Sequence, residues 1–126
     1  MWIEANHTLP KEVLRELISL AIASHPVECV GFVVYRFQHW ILPLPALASP
    51  RSVFVDPAVL IPTLYLLEQH GMTIVASYHS HPNGLTHPSK LDDGFRLYGG
   101  SHVLLVREQR TFTPHTYIWR HQISHP

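Results

Sequence analysis

Eleven prolines divide this 126-residue chain into short segments, and several of them mark the boundaries of predicted elements. Because proline lacks a backbone N–H group, it fits the first turn of a helix but disrupts later turns. Residues 9 to 24 are predicted to form the first helix, which Pro26 ends. Thr8 would cap it and Pro10 would lie in its first turn. Its apolar face would comprise Leu14, Leu17, Ile18, Ala21 and Ile22.

Two strands are predicted next. Val30 to Phe37 is rich in β-branched and aromatic residues, and His39 to Leu42 follows after a tight connection. Ser52 to Val55 is a further short candidate strand. The segment between Leu42 and Ser52 is expected to be irregular because of Pro43, Pro45 and Pro50.

A second helix is predicted from the Asp56-Pro57 pair, which combines a capping residue with a first-turn proline. Pro62 is expected to kink or delay this helix, and Gly71 would close it. Its buried stripe would consist of Leu60, Leu64 and Leu67.

The last third of the chain contains the clearest strand, Thr73 to Tyr78. A turn-rich segment, residues 79 to 84, follows, and then a short helix over Ser89 to Leu97. Two further strands are predicted at Ser101 to Val106 and Thr116 to Ile123. This order indicates an α/β or α+β sandwich with a mixed sheet. The chain is expected to be one domain, residues 1–126, and is too short for an eight-stranded α/β barrel.

Charge and composition exclude several functions. Nine Lys and Arg residues balance nine Asp and Glu residues, so no basic excess supports nucleic-acid binding. No apolar run is long enough for a membrane helix, and the first residues do not resemble a signal peptide. Cys29 is the only cysteine, which fits a reducing compartment, so a cytoplasmic location is expected.

The candidate chemistry centres on His79-Ser80-His81. Residues i and i+2 of an extended chain point to the same side, so two imidazoles can reach one metal ion. Asp92, eleven residues after His81, could complete a three-ligand set. Three protein ligands leave a position for water, which is typical of catalytic zinc; zinc lowers the pKa of such a water to about 7.

Glu28 and Ser89 are candidates for the remaining steps. Glu28 lies beside an apolar run, where partial burial would raise its pKa toward that of a useful general base. Ser89 could donate a hydrogen bond to a developing oxyanion.

Simpler explanations exist for each of these residues. A His-x-His pair arises readily by chance among eleven histidines, and Ser89 to Asp92 also matches a helix capping box. Glu28 could be a solvated turn residue. Cys29 is expected to be a small buried residue rather than a nucleophile. The other nine histidines show no ligand spacing.

Taken together, the residues resemble the JAMM motif. That motif has a Glu, a long gap, His-Ser/Thr-His-Pro, and then Ser and Asp at fixed positions, which correspond here to Glu28, residues 79–82, Ser89 and Asp92. The segments around His25 to Gly31 and Ser49 to Asp56 are also similar to the family. The chain is therefore identified as a member of the JAMM/MPN+ (JAB or Mov34-type) metalloprotease family, with a likeness over roughly residues 9–107.

The resemblance implies a mostly antiparallel mixed sheet flanked by helices, similar to cytidine deaminase. It implies one zinc ion with a water on His79, His81 and Asp92, with Glu28 as general acid/base and Ser89 stabilising the tetrahedral intermediate. The implied reaction is hydrolysis of an isopeptide or peptide bond after the tail of a ubiquitin-like or sulfur-carrier protein. Long insertions that would select polyubiquitin are absent from the sequence.

Two alternatives stay open, the peptidase among them as part of what the resemblance implies, and a third is rejected. The chain could be a binding module that recognises a ubiquitin-like tail without cutting it, or a cell-wall or phage-tail type of peptidase. A nucleobase deaminase is rejected, because its His-x-Glu and Pro-Cys-x-x-Cys pattern needs more than one cysteine. The sequence does not indicate the oligomeric state.

Overall fold

A six-stranded mixed sheet forms the centre of the computed structural model, which describes residues 1–48 and 53–121. The strands are β1 (Trp2–Ala5), β2 (Val30–Arg36), β3 (Gln38–Leu44), β4 (Leu47–Ala48), β5 (Val53–Phe54), β6 (Thr73–His81), β7 (Ser101–Glu108) and β8 (Thr111–Trp119). The helices are α1 (Lys11–Ser24), α2 (Pro57–Gln69) and a 3-10 helix (Lys90–Tyr98).

The strand order is β1-β8-β7-β6-β2-β3, and only the β6–β7 pair is parallel. β4 and β5 form a separate two-stranded sheet. The prediction of a mixed, mostly antiparallel sheet flanked by helices is confirmed. No helix among residues 1–48 and 53–121 is long and apolar enough to cross a membrane.

The first helix ends at Ser24 as predicted but starts later, at Lys11. The predicted Thr8 cap was wrong, because Pro10 occupies the cap position. The Thr8 hydroxyl instead lies 3.2 Å from the Ser101 hydroxyl. Ile22 is 48% exposed, so its predicted place on the apolar face was also wrong. Each residue turns a helix by about 100°, which carries Ile22 off the side that Leu14, Leu17 and Ala21 bury.

The β2–β3 hairpin confirms the two predicted strands and their tight connection. Arg36 pairs with Gln38, and Phe37 makes the turn with a positive φ of 65°. Pro43 lies inside β3 rather than in an irregular stretch, contrary to prediction. β3 is an edge strand, where a missing N–H group need not break a ladder. Pro50 and Ser52 lie outside the described residues.

The second helix has the predicted ends. The Asp56 carboxylate accepts a hydrogen bond from the Ala58 N–H group at 2.9 Å, and Gly71 follows the last turn with a φ of 64°. Leu67 is buried, with Leu60 and Leu64 packed around it. Pro62 does not delay the helix, which runs unbroken from Pro57. Because Ala58 and Pro62 are both exposed, the unpaired Ala58 carbonyl can bind water.

The central strand β6 is longer than predicted, because it continues through His79 to His81 and the turn begins only at Pro82. β7 pairs with it as far as His81, and β2 pairs with it as far as His79. The predicted short helix is a 3-10 helix. β8 begins five residues before the predicted Thr116, and Ile123 lies outside the described residues. β1 was not predicted.

The two sides of the sheet carry different layers. Leu17 and Ala21 of α1 pack on one side with Tyr78 and Leu105. On the other side, Leu67 of α2 packs with Phe32 and Val34. Since side chains alternate along a strand, the odd-numbered residues of β6 between Ser77 and His81 point to this second side. The 3-10 helix reaches it too, because Tyr98 packs edge-on against Phe32.

Candidate metal centre

A row of polar side chains lies buried on the second side of β6. Ser77 and His79 are 1% and 0% exposed, and His81 is 7% exposed. The strand spacing of two places all three on one side, as the sequence predicted for the two histidines. The 3-10 helix adds Asp92, which is 2% exposed. A carboxylate and two imidazoles are therefore buried together in the protein interior, where most buried side chains are apolar.

The three candidate ligands converge on one point. His79 Nε2 and His81 Nε2 are 2.9 Å apart, and Asp92 Oδ2 lies 3.4 Å from each of them. Zinc binds imidazole nitrogen and carboxylate oxygen at about 2.0–2.2 Å, so tetrahedral ligands stand about 3.3–3.6 Å apart. The two longer sides of the triangle match that separation and the third is slightly short. This group of three can therefore bind a metal ion.

Asp92 is oriented by the start of its own helix. The Ser89 N–H group donates to Asp92 Oδ2 at 2.7 Å, so the capping interaction and the metal-ligand placement use the same carboxylate. Burial favours the neutral acid, but the hydrogen bonds from His79 and His81 outweigh it and hold the pKa of Asp92 far below its usual range. Asp92 is therefore an anion, as a metal ligand must be.

His81 is oriented by a backbone carbonyl. Its Nδ1 lies 3.0 Å from the Leu85 oxygen, which can only accept, so Nδ1 carries the proton and Nε2 faces the other ligands. Burial lowers the pKa of His81, yet the attraction of Asp92 and the Leu85 carbonyl gives a net increase. A metal ion binding here must displace any proton that Asp92 holds on this ring.

His79 is oriented by a residue that the sequence analysis missed. Its Nδ1 lies 2.6 Å from Nε2 of His102 on β7, and His102 Nδ1 lies 2.7 Å from the Ser77 hydroxyl. His102 is fully buried, and burial lowers the pKa values of both His79 and His102. The parallel pairing of Ser77 with His102 brings the two strands into this register. Only the strand pairing, not the spacing along the chain, could reveal it.

Glu28 lies beside this group without joining it. It precedes β2, and the backbone of its neighbour Cys29 accepts a hydrogen bond from the Ser80 N–H group at 3.0 Å. The pKa of Glu28 is raised above its usual value, mainly because of burial. The His81 imidazole opposes this increase, and the Asp92 carboxylate adds to it. Glu28 is half-buried and lines a cavity of about 350 Å³. His79, His81 and Asp92 do not line this cavity, so it does not itself open onto the candidate metal centre.

Ser89 lines a second cavity, of about 500 Å³, whose lining does not include Asp92. Its neighbours in the lining include His87, Lys90 and Asp93. Ser89 is half-buried, and its backbone N–H group is already engaged by Asp92. The structure thus places Ser89 next to Asp92 and beside open space.

Cys29 has the environment of a packing residue. It is half-buried beside the first apolar cluster, and its N–H group donates to the Ser80 hydroxyl at 2.9 Å. Burial raises the pKa of its thiol, although a hydrogen bond with Ser80 opposes the shift. A thiol of this kind carries little thiolate at neutral pH.

The fold and the buried His-His-Asp group define a class: a mixed-sheet domain with a candidate metal site between its central strand and a 3-10 helix. Residues 10–121 match the family described as prokaryotic homologs of the JAB domain. This match spans most of the chain, so the chain belongs to that family, as the JAMM-like motif indicated.

The chain is also similar to two individual proteins. A protein of Thermus thermophilus described as "Probable TtuB-protein conjugate cleaving protease" is 34% identical over 87 residues, which are 67% of this chain. The matched part is 59% of that relative, so the chain spans about three fifths of its length. The solution structure of a protein from Desulfitobacterium hafniense superposes with a TM-score of 0.62 at 20% identity, covering 84% of this chain and 79% of that one. The second likeness concerns the fold alone.

Proposed function

We propose that this chain is a zinc-dependent metallopeptidase that hydrolyses an isopeptide or peptide bond. The observation that carries the proposal is the buried triangle of His79 Nε2, His81 Nε2 and Asp92 Oδ2, in a member of the JAB family. The similarity to a protein described as a protease supports the reaction class.

His79, His81 and Asp92 would hold one zinc ion. Two imidazoles and one carboxylate suit zinc, and three protein ligands leave a position for water. Bound zinc would supply Lewis acidity, which activates water and polarises the scissile carbonyl. A hydrogen bond from the Ser89 N–H group orients Asp92, and a hydrogen bond to the Leu85 carbonyl orients His81. This orientation limits the reorganisation of the two side chains when the metal binds.

Glu28 would be the general acid/base. It takes a proton from the attacking water and delivers it to the departing amine. Its half-buried position supports this role, because burial raises the pKa of the carboxyl and makes it a better proton acceptor than an exposed glutamate. The electrostatic effects of His81 and Asp92 on its carboxyl show that Glu28 is near both, which supports a role in proton transfer at the metal centre.

Ser89 would stabilise the oxyanion of the tetrahedral intermediate. Its backbone N–H group binds Asp92 Oδ2, which holds Ser89 next to a candidate ligand. A preorganised donor of this kind needs no rearrangement while charge develops on the carbonyl oxygen.

The substrate would be a conjugate of a small ubiquitin-like or sulfur-carrier protein, cut after its C-terminal tail. The name of the Thermus relative, which refers to a TtuB-protein conjugate, supports this choice. The matched region makes up only part of that relative, so the proposal covers the chemistry of the tail and not the whole range of the relative's substrates.

Cleavage of a purified TtuB–protein conjugate tests the proposal. Zinc-loaded wild-type protein is expected to release TtuB, a chelator is expected to stop release, and added zinc to restore it. Glu28→Gln should bind the conjugate and zinc but lose about 10²–10⁴-fold in kcat, the usual contribution of a general base. Tight binding of the conjugate without release by the zinc-loaded wild type would overturn the peptidase proposal in favour of a binding module.

A further inference from the structure

A continuous row of buried polar groups extends away from the candidate metal centre. It runs from His79 Nδ1 to His102 Nε2 over 2.6 Å, and from His102 Nδ1 to the Ser77 hydroxyl over 2.7 Å. His79 and His102 are 0% exposed and Ser77 is 1% exposed. Burying three polar side chains is costly unless they are paired, and these pair with one another.

The direction of the hydrogen bonds follows from His79. When His79 Nε2 is a ligand, its proton must be on Nδ1, which then donates to His102 Nε2. His102 Nε2 is consequently the acceptor, and His102 Nδ1 carries the proton that it donates to the Ser77 hydroxyl. One arrangement of protons therefore satisfies every nitrogen in the row.

His79 differs in this respect from His81. The Leu85 carbonyl facing His81 can only accept, so it fixes the ring without help. The partner of His79 is an imidazole that can either donate or accept, so it fixes His79 only while its own tautomer is fixed. The Ser77 hydroxyl at the far nitrogen of His102 can also donate or accept, so it holds the His102 ring in place and follows the tautomer that a metal-bound His79 imposes.

Packing holds the two rings in place. The Phe95 ring stacks on His102 at 4.4 Å between centroids, with 25° between the planes, and on His79 at 5.2 Å and 14°. The ring of Trp2, on β1, lies 5.5 Å from that of His102. Phe95 thus packs against both imidazoles and Trp2 packs against His102, which restricts the movement of these rings.

We propose that His102 is a positioning residue for the metal centre, which is itself held by Ser77 and fixes the orientation of His79 by accepting a hydrogen bond from its Nδ1. This inference rests on the proposed metal-binding function. His102 is not a fourth ligand, since its Nε2 faces Nδ1 of His79, on the side of that ring away from the other ligands. It does not touch substrate either, because it is completely buried.

The test compares zinc affinities, measured by competition with a chromogenic chelator, of wild type, His102→Leu, His102→Gln and Ser77→Ala. The matched control is His39→Leu, which removes a histidine near the turn of the β2–β3 hairpin. His102→Leu is expected to bind zinc about 10–100-fold more weakly, the usual effect of losing an outer partner of a ligand. His102→Gln should recover part of the loss through its amide oxygen, Ser77→Ala should lose less, and the control should match wild type.

A second measurement needs no variant. Long-range ¹H–¹⁵N NMR of the zinc-loaded wild type is expected to show the Nδ1–H tautomer for both His79 and His102. An Nε2–H tautomer at His102, or a wild-type affinity in folded His102→Leu, would overturn the inference while leaving the metal site intact. Failure of the wild type itself to bind zinc would instead overturn the proposed function, and this inference with it.

Discussion

Zinc is expected to raise the thermal stability of this protein through the triangle of His79, His81 and Asp92. A ligand that binds only the folded state at a free concentration of 100 times its Kd adds about 2.7 kcal/mol. The unfolding entropy is about 2.1 cal/mol/K per residue, so for 126 residues this corresponds to a rise in Tm of about 10 °C. The three ligands belong to β6 and the 3-10 helix and come together as a set in the folded chain, and any zinc that histidines of the unfolded chain bind would make the rise smaller.

Calorimetry in zinc-buffered solutions measures this rise. Asp92→Ala should abolish it, whereas Asp93→Ala, at the next position of the same 3-10 helix, should retain it. The rise should also shrink as the pH falls, because Asp92 raises the pKa of His81 and zinc must displace the proton that His81 then holds. Equal shifts in the two aspartate variants would refute the reasoning, since zinc would then be binding elsewhere.

Two further predictions concern the neighbourhood of the site. Gly31→Ala should destabilise the protein by about 1–3 kcal/mol in urea unfolding, because a Cβ would clash with the Leu42 carbonyl and lie 2.5 Å from Tyr78 Oη. Gly94→Ala is the control, because a Cβ at Gly94 would have no atom within 4 Å. Equal destabilisation by the two substitutions would contradict the packing argument. Cys29→Ala should leave conjugate cleavage unchanged, because burial raises the thiol pKa and disfavours a nucleophilic thiolate; a large loss of kcat would point to a thiol mechanism.

The parts of the fold that depend on neighbouring residues were predictable from the sequence. Asp56 and Gly71 mark the ends of α2 because capping and a left-handed C-terminal turn are local interactions. Thr8 was assigned a capping role by the same reasoning, but its hydroxyl meets Ser101 across the fold. β1 is four residues long and pairs with the distant β8, so no local pattern revealed it.

The candidate site shows the same difference between local features, which the sequence predicts, and long-range contacts, which it does not. The spacing of His79 and His81 is a property of one strand, and the link from Ser89 to Asp92 is a property of one helix start, so both could be anticipated. His102 lies more than twenty residues from His79, and only the parallel pairing of β6 with β7 brings them together. The sequence therefore indicated the candidate ligands but not His102, whose ring contacts one of them.

Anomalous diffraction at the zinc edge, from crystals grown with one equivalent of zinc, tests the central claim most directly. The account predicts one strong peak about 2.0–2.2 Å from His79 Nε2, His81 Nε2 and Asp92 Oδ2. A peak bound only by other histidines of the chain, with none between these three atoms, would contradict it.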